Sequence, residues 1–202
     1  MKQELPQVSA KETKTVLDYA VKSLTLKGDF VELGCYKGDT SVELGKILRT
    51  HNLTCPMPSE HYKQLYLYDS FEGIPEKTTE DNSAEGDHFK KGSLKVTKKF
   101  VSDRFRHLNL PMPKIKKAFF EDLTDKNIPD KIAFAFLDGD LYQSIKDSLR
   151  LVAPHMVSGG FVLIHDYQNP ALPGVEKALD EWLSTHHNIK FSRSGSVAIL
   201  QF

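Results

Sequence analysis

Segments typical of β-strands alternate with segments typical of α-helices along this chain, until two strands follow each other with only a few residues between them. Parallel strands joined by helices form a doubly wound sheet with right-handed crossovers. The last link, Arg193-Ser194-Gly195, is too short for a helical crossover and predicts a hairpin. We therefore expect an α/β fold with a doubly wound, mostly parallel, seven-stranded sheet whose last strand is antiparallel.

The positions of these elements follow from the spacing of apolar residues. Strands are predicted at 30–33, 64–69, 115–120, 132–137, 160–165, 189–191 and 196–202. Helices are predicted at 142–153 and 175–185. The run 132–137 is apolar throughout, which is typical of a strand buried on both faces.

Three further helices are indicated in the first half of the chain. Ser9 with Glu12, and Thr40 with Glu43, have the spacing of a capping box at a helix N-terminus. A third helix is indicated by apolar residues at helical spacing, namely Leu94, Val101, Phe105 and Leu108.

Composition is that of an ordinary globular protein and excludes several classes. The 202 residues include 27 basic and 27 acidic side chains, a balance that argues against a nucleic-acid binder. The longest apolar run, 132–137, is far shorter than the roughly 20 residues of a membrane span, and the first residues lack the apolar core of a secretory signal. Cys35 and Cys55 are too few for a disulfide scaffold. We expect a single cytoplasmic domain over 1–202, with neither nucleic acid nor membrane as a partner.

The turn after the first predicted strand favours ligand binding, because ligands of doubly wound sheets lie beyond the carboxyl ends of strands. Gly34 permits a tight turn and Gly38 would let a ligand approach the backbone. The spacing G-x-x-x-G is neither a dinucleotide fingerprint nor a P-loop. Thr40 and Ser41 are placed at a helix N-terminus, which attracts a carboxylate, and Glu32 suits an ammonium group. S-adenosylmethionine has both groups, whereas the acid at Glu32 disfavours the pyrophosphate of NAD.

Asp69 ends the second predicted strand, where nucleotide binders hold ribose hydroxyls with a carboxylate. We interpret it as a ribose ligand, and the alternative is an aspartate that caps the next turn. The segment 70–93 that follows has few apolar residues and no periodicity, which is typical of a functional or mobile loop.

Charge is distributed unevenly after this second strand. Asp69 to Asp87 contains seven acidic residues and one lysine, whereas His88 to Lys117 contains ten basic residues and one acid. These stretches are interpreted either as solvated faces that attract each other or as a basic region that draws in an anionic substrate.

Four ionisable side chains follow two neighbouring predicted strands. Asp138 and Asp140 come directly after 132–137, and His165 and Asp166 come after the next strand. Three carboxylates and an imidazole brought together would repel and desolvate one another unless a cation lay between them. The pattern therefore predicts a divalent metal site, and the alternative is that Asp138 and Asp166 are turn or helix caps.

The motifs at these turns resemble those of the macrocin O-methyltransferase family. They are VELGCYKGDTS at 31–41, YDSFEGIP at 68–75, FLDGDLYQS at 136–144 and GGFVLIHDY at 159–167. The resemblance covers residues 30–183. It implies a class I, Rossmann-like methyltransferase fold and metal-dependent methyl transfer from S-adenosylmethionine to sugar hydroxyls of natural products.

The resemblance also implies roles for individual residues. Asp138 corresponds to a metal ligand and Asp140 to the general base. The family usually has Asp-Asp-Tyr after the next strand, and here His165 and Asp166 take the places of the two ligands, with Mg²⁺ as the expected ion. The family also has a longer helical extension before its core, which closes over the substrate and joins subunits. About 29 residues take that place here, so substrate identity is the part of the resemblance that transfers least directly, and a homo-oligomer is compatible with the resemblance.

Phe120 and Glu121, at the end of the third predicted strand, are expected to contact adenine through an apolar wall and an edge acceptor. The alternative is that Phe120 belongs only to the core. The full set expected to bind the cofactor is Glu32, Gly34, Tyr36, Gly38, Thr40, Ser41, Asp69, Ser70, Phe120, Glu121 and Asp138.

The predicted function is that of an S-adenosylmethionine-dependent and divalent-metal-dependent O-methyltransferase acting on a small-molecule hydroxyl, on a sugar or a glycosylated compound. Two alternatives stay open. One is the same chemistry on a catechol-type phenol or a lipid-linked glycan. The other is a methyltransferase-like subunit that binds the cofactor without catalysis, which the change to His165 favours.

Overall fold

The structure is a computed structural model, and it describes residues 7–55, 59 and 61–202. Its helices are α1 (Ala10–Lys22), α2 (Asp39–Thr54), α3 (Lys98–His107), α4 (Tyr142–Val152) and α5 (Pro173–Leu183). Its strands are β1 (Asp29–Leu33), β2 (Leu65–Asp69), β3 (Lys114–Lys117), β4 (Ile132–Leu137), β5 (Met156–Ile164), β6 (Lys190–Ser194) and β7 (Val197–Gln201). No helix in these ranges combines the length and the apolar character needed to cross a membrane.

The strands form one seven-stranded sheet in the order β3-β2-β1-β4-β5-β7-β6. The pairs from β3 to β5 are parallel, whereas β7 lies between β5 and β6 and is antiparallel to both. The predicted α/β sheet with an antiparallel last strand is therefore confirmed. The strand order reverses between β1 and β4, which places the turns after these strands side by side.

The core lies on both faces of this sheet. The central strand β4 is therefore buried throughout, as its sequence predicts. Phe134 and Phe136 face the layer of α1, α2 and α3, whereas Ala135 and Leu137 face the layer of α4 and α5. This alternation is the two-residue period of a strand. Each helical layer then contributes one apolar stripe to the core, as expected for a doubly wound sheet.

Local predictions of helix boundaries were correct at α1 and partly wrong at α2 and α3. Ser9 and Glu12 form the expected capping box of α1. Thr40 forms no such box, because α2 begins at Asp39 with Gly38 as its N-cap at φ 78°. Of the expected third stripe, Leu94 precedes α3 and Leu108 is 44% exposed. The turn geometry at Gly38, rather than a side-chain cap, fixes the start of α2.

The third strand is shorter than predicted. β3 ends at Lys117, and Phe120 opens a short 3₁₀ turn, Phe120–Asp122. β3 is an edge strand with exposed lysines on both ends, so little apolar burial extends it. Phe120 and Glu121 therefore do not end a strand.

The polar segment 70–93 is tied to the body of the protein by hydrogen bonds. Its ends meet where the Ile74 backbone N–H donates to the Ser93 carbonyl at 2.8 Å. Midway, the buried carboxylate of Asp81 accepts the backbone N–H of Tyr142 at 2.7 Å, which caps the first turn of α4. The segment thus packs over the carboxyl edge of the sheet.

The acidic and basic stretches attract each other, as one of the two interpretations expected. Glu72 is held between Lys95, at 2.6 Å, and Lys117, and Glu76 pairs with Lys91 at 3.0 Å. Exposed pairs of this kind contribute little to stability. The Glu72–Lys117 pair joins the segment 70–93 to the edge strand β3, whereas Glu76 and Lys91 both lie within the segment.

Candidate active site

A cavity of about 470 Å³ lies at the carboxyl ends of the central strands, beside the point where the strand order reverses. Its walls come from the turns after β1, β2, β4 and β5 and from the segment 70–93. Ten predicted site residues line it: Gly34, Tyr36, Asp69, Ser70, Phe120, Glu121, Asp138, Asp140, His165 and Asp166. The cavity lies where ligands bind in doubly wound folds, and its volume is that of a small-molecule site.

The turn after β1 can adopt its shape only with glycine at position 34. Gly34 has φ 90°, and a Cβ there would lie 2.0 Å from the carbonyl oxygen of Asp138. The turns after β1 and β4 are therefore in direct backbone contact. This contact brings Tyr36 and Asp138 to the same wall of the cavity.

Four residues predicted to bind the cofactor do not line the cavity, namely Glu32, Gly38, Thr40 and Ser41. Glu32 is 1% exposed, and its carboxyl accepts a short hydrogen bond from the Ser41 hydroxyl behind the cavity wall. A Cβ on Gly38 would meet Val101 Cγ1 at 3.2 Å. Gly38 thus allows close approach of α3 rather than of a ligand.

Burial makes Glu32 a weaker acid than an ordinary glutamate. Desolvation raises its pKa to about 8, with further contributions from the carboxylates of Asp138 and Asp69, although the Ser41 hydrogen bond acts in the opposite direction. The neutral acid is therefore favoured at neutral pH. In this position Glu32 supports the turn and is not the exposed anion that an ammonium group would need.

Replacing Glu32 by glutamine should remove a pH-dependent loss of stability. The pKa of Glu32 rises from 4.5 to about 8 on folding, so the folded chain binds more protons in that window. The free energy of unfolding should then fall as pH rises from 4.5 to 8, by up to about 1.4 kcal/mol per pH unit. Glu32→Gln keeps an acceptor for Ser41 and should lack this contribution, which urea unfolding across the window measures.

The matched control is Glu43→Gln, because Glu43 pairs with Lys46 at the surface of the same helix, α2. Its pH slope should equal that of the wild-type chain. A wild-type slope retained in Glu32→Gln would contradict the neutral state of this carboxyl group.

Asp69 holds two turns together and also faces the cavity. Its Oδ2 accepts the backbone N–H of Tyr36 at 2.9 Å, and its Oδ1 accepts that of Phe71 at 2.7 Å. The capping interpretation is therefore correct, and it does not exclude ligand binding, because each carboxylate oxygen has a further lone pair. Burial raises the pKa of Asp69, whereas these backbone hydrogen bonds lower it.

Three of the four side chains predicted to converge, Asp138, His165 and Asp166, form one cluster. The Nδ1 atom of His165 lies 2.9 Å from Asp138 Oδ1 and 3.0 Å from Asp166 Oδ2. His165 is 5% exposed, and its backbone N–H donates to the carbonyl of Leu137, the last residue of β4. The neighbouring parallel strands β4 and β5 thus place the three side chains together.

The donor set of this cluster fits a divalent cation. One ligand atom from each of Asp138, His165 and Asp166 lies within 4.8 Å of the others. Two carboxylates and one imidazole suit Mg²⁺, Mn²⁺ and related ions, and the cluster faces the cavity. Burial by itself lowers the pKa of His165, but the carboxylates of Asp138 and Asp166 outweigh it and raise the pKa to about 12. A cation bound by this cluster would therefore compete with a proton for the His165 ring.

Asp140 lies at the cavity wall next to this cluster. Burial, followed by the charges of Asp138 and Asp166, raises the pKa of Asp140 well above its ordinary value. Asp140 also has φ 60°, as has Asp166, and Tyr36 has φ 43°. Left-handed backbone at residues other than glycine is costly and concentrates at functional sites, where the surrounding structure holds it in place.

The apolar wall of the cavity was not predicted as such. It includes Ile74, Phe89, Leu94, Phe119 and Leu141. The sequence signal for part of this wall was the presence of Ile74 and Phe89 in the otherwise polar segment 70–93. A loop surrounded by solvent would not need these apolar residues. Phe120 joins this wall because its short turn brings it within 3.3 Å of the position that a Cβ on Gly139 would take.

A polar side of the cavity was missed as well. Gln143 and Asp147 lie one helical turn apart on α4 and line the cavity, and the Gln143 amide donates to Asp147 at 3.0 Å. Their spacing of four residues was visible in the sequence. The sequence did not show that this face of α4 points into the cavity.

The sheet order, with β7 antiparallel between β5 and β6, and a strand-end cavity beside the reversal point define a class I methyltransferase fold. The structure is similar to that of the O-methyltransferase NovP, with a TM-score of 0.80 at 24% identity over 98% of this chain and 82% of that one.

The sequence matches the family model described as Macrocin-O-methyltransferase (TylF) over residues 11–192, and the chain belongs to this family. One relative is the 8-demethyl-8-(2,3-dimethoxy-alpha-L-rhamnosyl)-tetracenomycin-C 4'-O-methyltransferase of Streptomyces olivaceus, 30% identical over 75% of this chain and 58% of that protein. Another is the demethyldecarbamoylnovobiocin O-methyltransferase of Streptomyces niveus, 31% identical over 77% of this chain and 58% of that protein. The chain thus spans 58% of the length of each.

Proposed function

We propose that this chain is an S-adenosylmethionine-dependent, divalent-metal-dependent O-methyltransferase that acts on a hydroxyl of a sugar or a glycosylated small molecule. The observation that supports it most directly is the placement of Asp138, His165 and Asp166 at a cavity that Asp69 and Asp140 also line. Family membership supports the same chemistry.

In this proposal the cofactor lies between the turn after β2 and the 3₁₀ turn at Phe120. Asp69 accepts hydrogen bonds from ribose hydroxyls while its backbone contacts hold it in position. Phe120 packs against the adenine ring, and Glu121 accepts from its edge. S-adenosylmethionine supplies a methyl group on a sulfonium centre whose leaving group is a neutral thioether.

Asp138, His165 and Asp166 would hold the cation. A divalent cation bound there supplies Lewis acidity, which lowers the pKa of a hydroxyl. Asp140 accepts the hydroxyl proton on its carboxylate as the acceptor oxygen forms its bond to the methyl carbon and the carbon–sulfur bond breaks. Burial and the neighbouring carboxylates raise the pKa of Asp140, which makes its carboxylate a stronger proton acceptor than that of an ordinary aspartate.

A sugar hydroxyl is the favoured acceptor for two reasons. An aliphatic hydroxyl is a very weak acid, so it needs the base and the cation together, and this chain offers residues for both. The Streptomyces olivaceus relative is named for methylation of a rhamnosyl group.

Binding and methyl transfer test the proposal in one set of assays. We expect S-adenosylmethionine and S-adenosylhomocysteine to bind in titration calorimetry and NAD not to bind. Methyl transfer to a panel of glycosides should stop in EDTA and return with Mg²⁺ or Mn²⁺. Transfer to catechols alone would support a phenol acceptor, and cofactor binding without transfer to any acceptor would support a non-catalytic subunit. Binding of NAD without binding of S-adenosylmethionine would overturn the assignment of the cofactor.

A further inference from the structure

The first turn of α1 reaches the candidate metal cluster through Glu12. The carboxylate of Glu12 lies 3.6 Å from Nε2 of His165, whereas Nδ1 of the same ring faces Asp138 and Asp166. The two ring nitrogens therefore face different carboxylates. Glu12 does not line the cavity, but its carboxylate contacts His165, which does.

Glu12 is held rigidly in this place. Its Oε2 accepts the backbone N–H of Ser9 at 2.9 Å, and its Oε1 accepts a short hydrogen bond from the hydroxyl of Ser196. Ser196 precedes β7, and its carbonyl accepts the backbone N–H of Tyr167 just after β5. The capping box of α1, the last hairpin and the turn after β5 thus fix the carboxylate beside His165.

The Nε2 atom of His165 is buried and has no hydrogen-bond partner in the described part of the chain. A buried N–H without any partner is costly, and the nearest compensating charge is that of Glu12. Histidine ligands of metals usually direct their second ring nitrogen at a carboxylate or carbonyl, which fixes the tautomer and orients the ring. The position of Glu12 matches that of such an outer partner.

We infer that Glu12 is a positioning residue for His165: its carboxylate keeps the proton on Nε2 and turns the lone pair of Nδ1 towards the space between Asp138 and Asp166. This inference rests on the metal site of the proposed function. It assigns to α1 a part in cation binding that the cavity residues alone do not suggest. It also accounts for an imidazole at position 165, since a carboxylate there would lie beside that of Glu12.

Glutamine at position 12 separates this role from helix capping. Glutamine serves as well as glutamate at the third position of a capping box, so Glu12→Gln preserves the start of α1. Its single amide oxygen cannot accept from both Ser9 and Ser196 as two carboxylate oxygens can, and the negative charge beside His165 is lost. His165→Asp removes the imidazole and supplies a background in which Glu12 has no ring to orient.

The decisive measurement is the affinity for Mn²⁺, followed by electron paramagnetic resonance of the free ion, for the wild-type chain, Glu12→Gln, His165→Asp and the double variant. Glu12→Gln should weaken Mn²⁺ binding about 10- to 100-fold, the usual effect of losing an outer partner. In the His165→Asp background, Glu12→Gln should not weaken it further. Equal Mn²⁺ affinity of the wild-type chain and Glu12→Gln, or equal losses in both backgrounds, would overturn the inference while leaving the metal site intact.

The protonation of the ring gives a second readout that a purely structural role would not change. With Zn²⁺ bound, ¹⁵N-detected long-range correlations of His165 should place the proton on Nε2 in the wild-type chain. A proton on Nδ1 instead would overturn the inference. If the wild-type chain binds neither Mn²⁺ nor Zn²⁺, the metal part of the proposed function fails, and the role of Glu12 fails with it.

Discussion

Asp138→Asn should lose both divalent-cation binding and methyl transfer. Asp138 supplies a carboxylate to the cluster and lies 2.9 Å from His165 Nδ1, so its replacement removes one of two anionic donors. Loss of an outer partner alone costs about 10- to 100-fold in affinity, and loss of a direct ligand should exceed that. Mn²⁺ titration and a methyl-transfer assay with saturating cofactor measure the two effects separately.

Asp130→Asn is the matched control for this experiment. Asp130 is exposed and lies just before β4, at the end of the strand opposite Asp138. It should retain wild-type cation affinity and turnover. Activity that survives both EDTA and Asp138→Asn would show that no cation takes part. Asp140 would then have to deprotonate the acceptor unaided, which favours a phenol over an aliphatic hydroxyl.

The fold was predictable where the signal is local. The apolar run of β4 predicts a buried strand and the short link before β7 predicts a hairpin, and both are confirmed. The hairpin turn lies at Gly195 and Ser196, because β6 continues to Ser194, past the predicted strand end at 191. Boundaries that depend on contacts between distant segments were not predictable. The start of α2 depends on the φ of 78° at Gly38. The space beside Gly38 is limited by Val101 on α3, a residue far away along the chain.

The site was predictable to the extent that topology alone builds it. Parallel strands end at one edge of the sheet, so Asp69, Asp138 and His165 had to lie near one another. The direction of each side chain was not predictable. Glu32 lies near the carboxyl end of β1, at the same edge of the sheet, yet its side chain points into the core towards Ser41. Glu12 was predicted as a helix cap, and its second contact, with His165, depends on how α1 docks.

The largest effect on turnover alone should come from Asp140→Asn. If Asp140 accepts the hydroxyl proton, the amide should lower turnover by about 10²- to 10⁴-fold, the usual contribution of a general base. Asparagine is the right replacement because Asp140 has φ 60°, a conformation that asparagine tolerates better than most residues. Cation and cofactor affinities should stay near their wild-type values. Single-turnover methyl transfer with both ligands saturating isolates this effect from binding.

Stability of the cation-free chain provides the internal check on this assignment. Burial and the neighbouring charges of Asp138 and Asp166 raise the pKa of Asp140, so its ionised form is unfavourable in the folded chain. Asp140→Asn removes that unfavourable charge and should not lower the unfolding temperature. A variant that folds, binds cation and cofactor, and still turns over at the wild-type rate would remove Asp140 from the reaction. The proton would then leave through water or another cavity residue, and Asp147 on α4 would be the next carboxylate to replace, because it lines the same cavity.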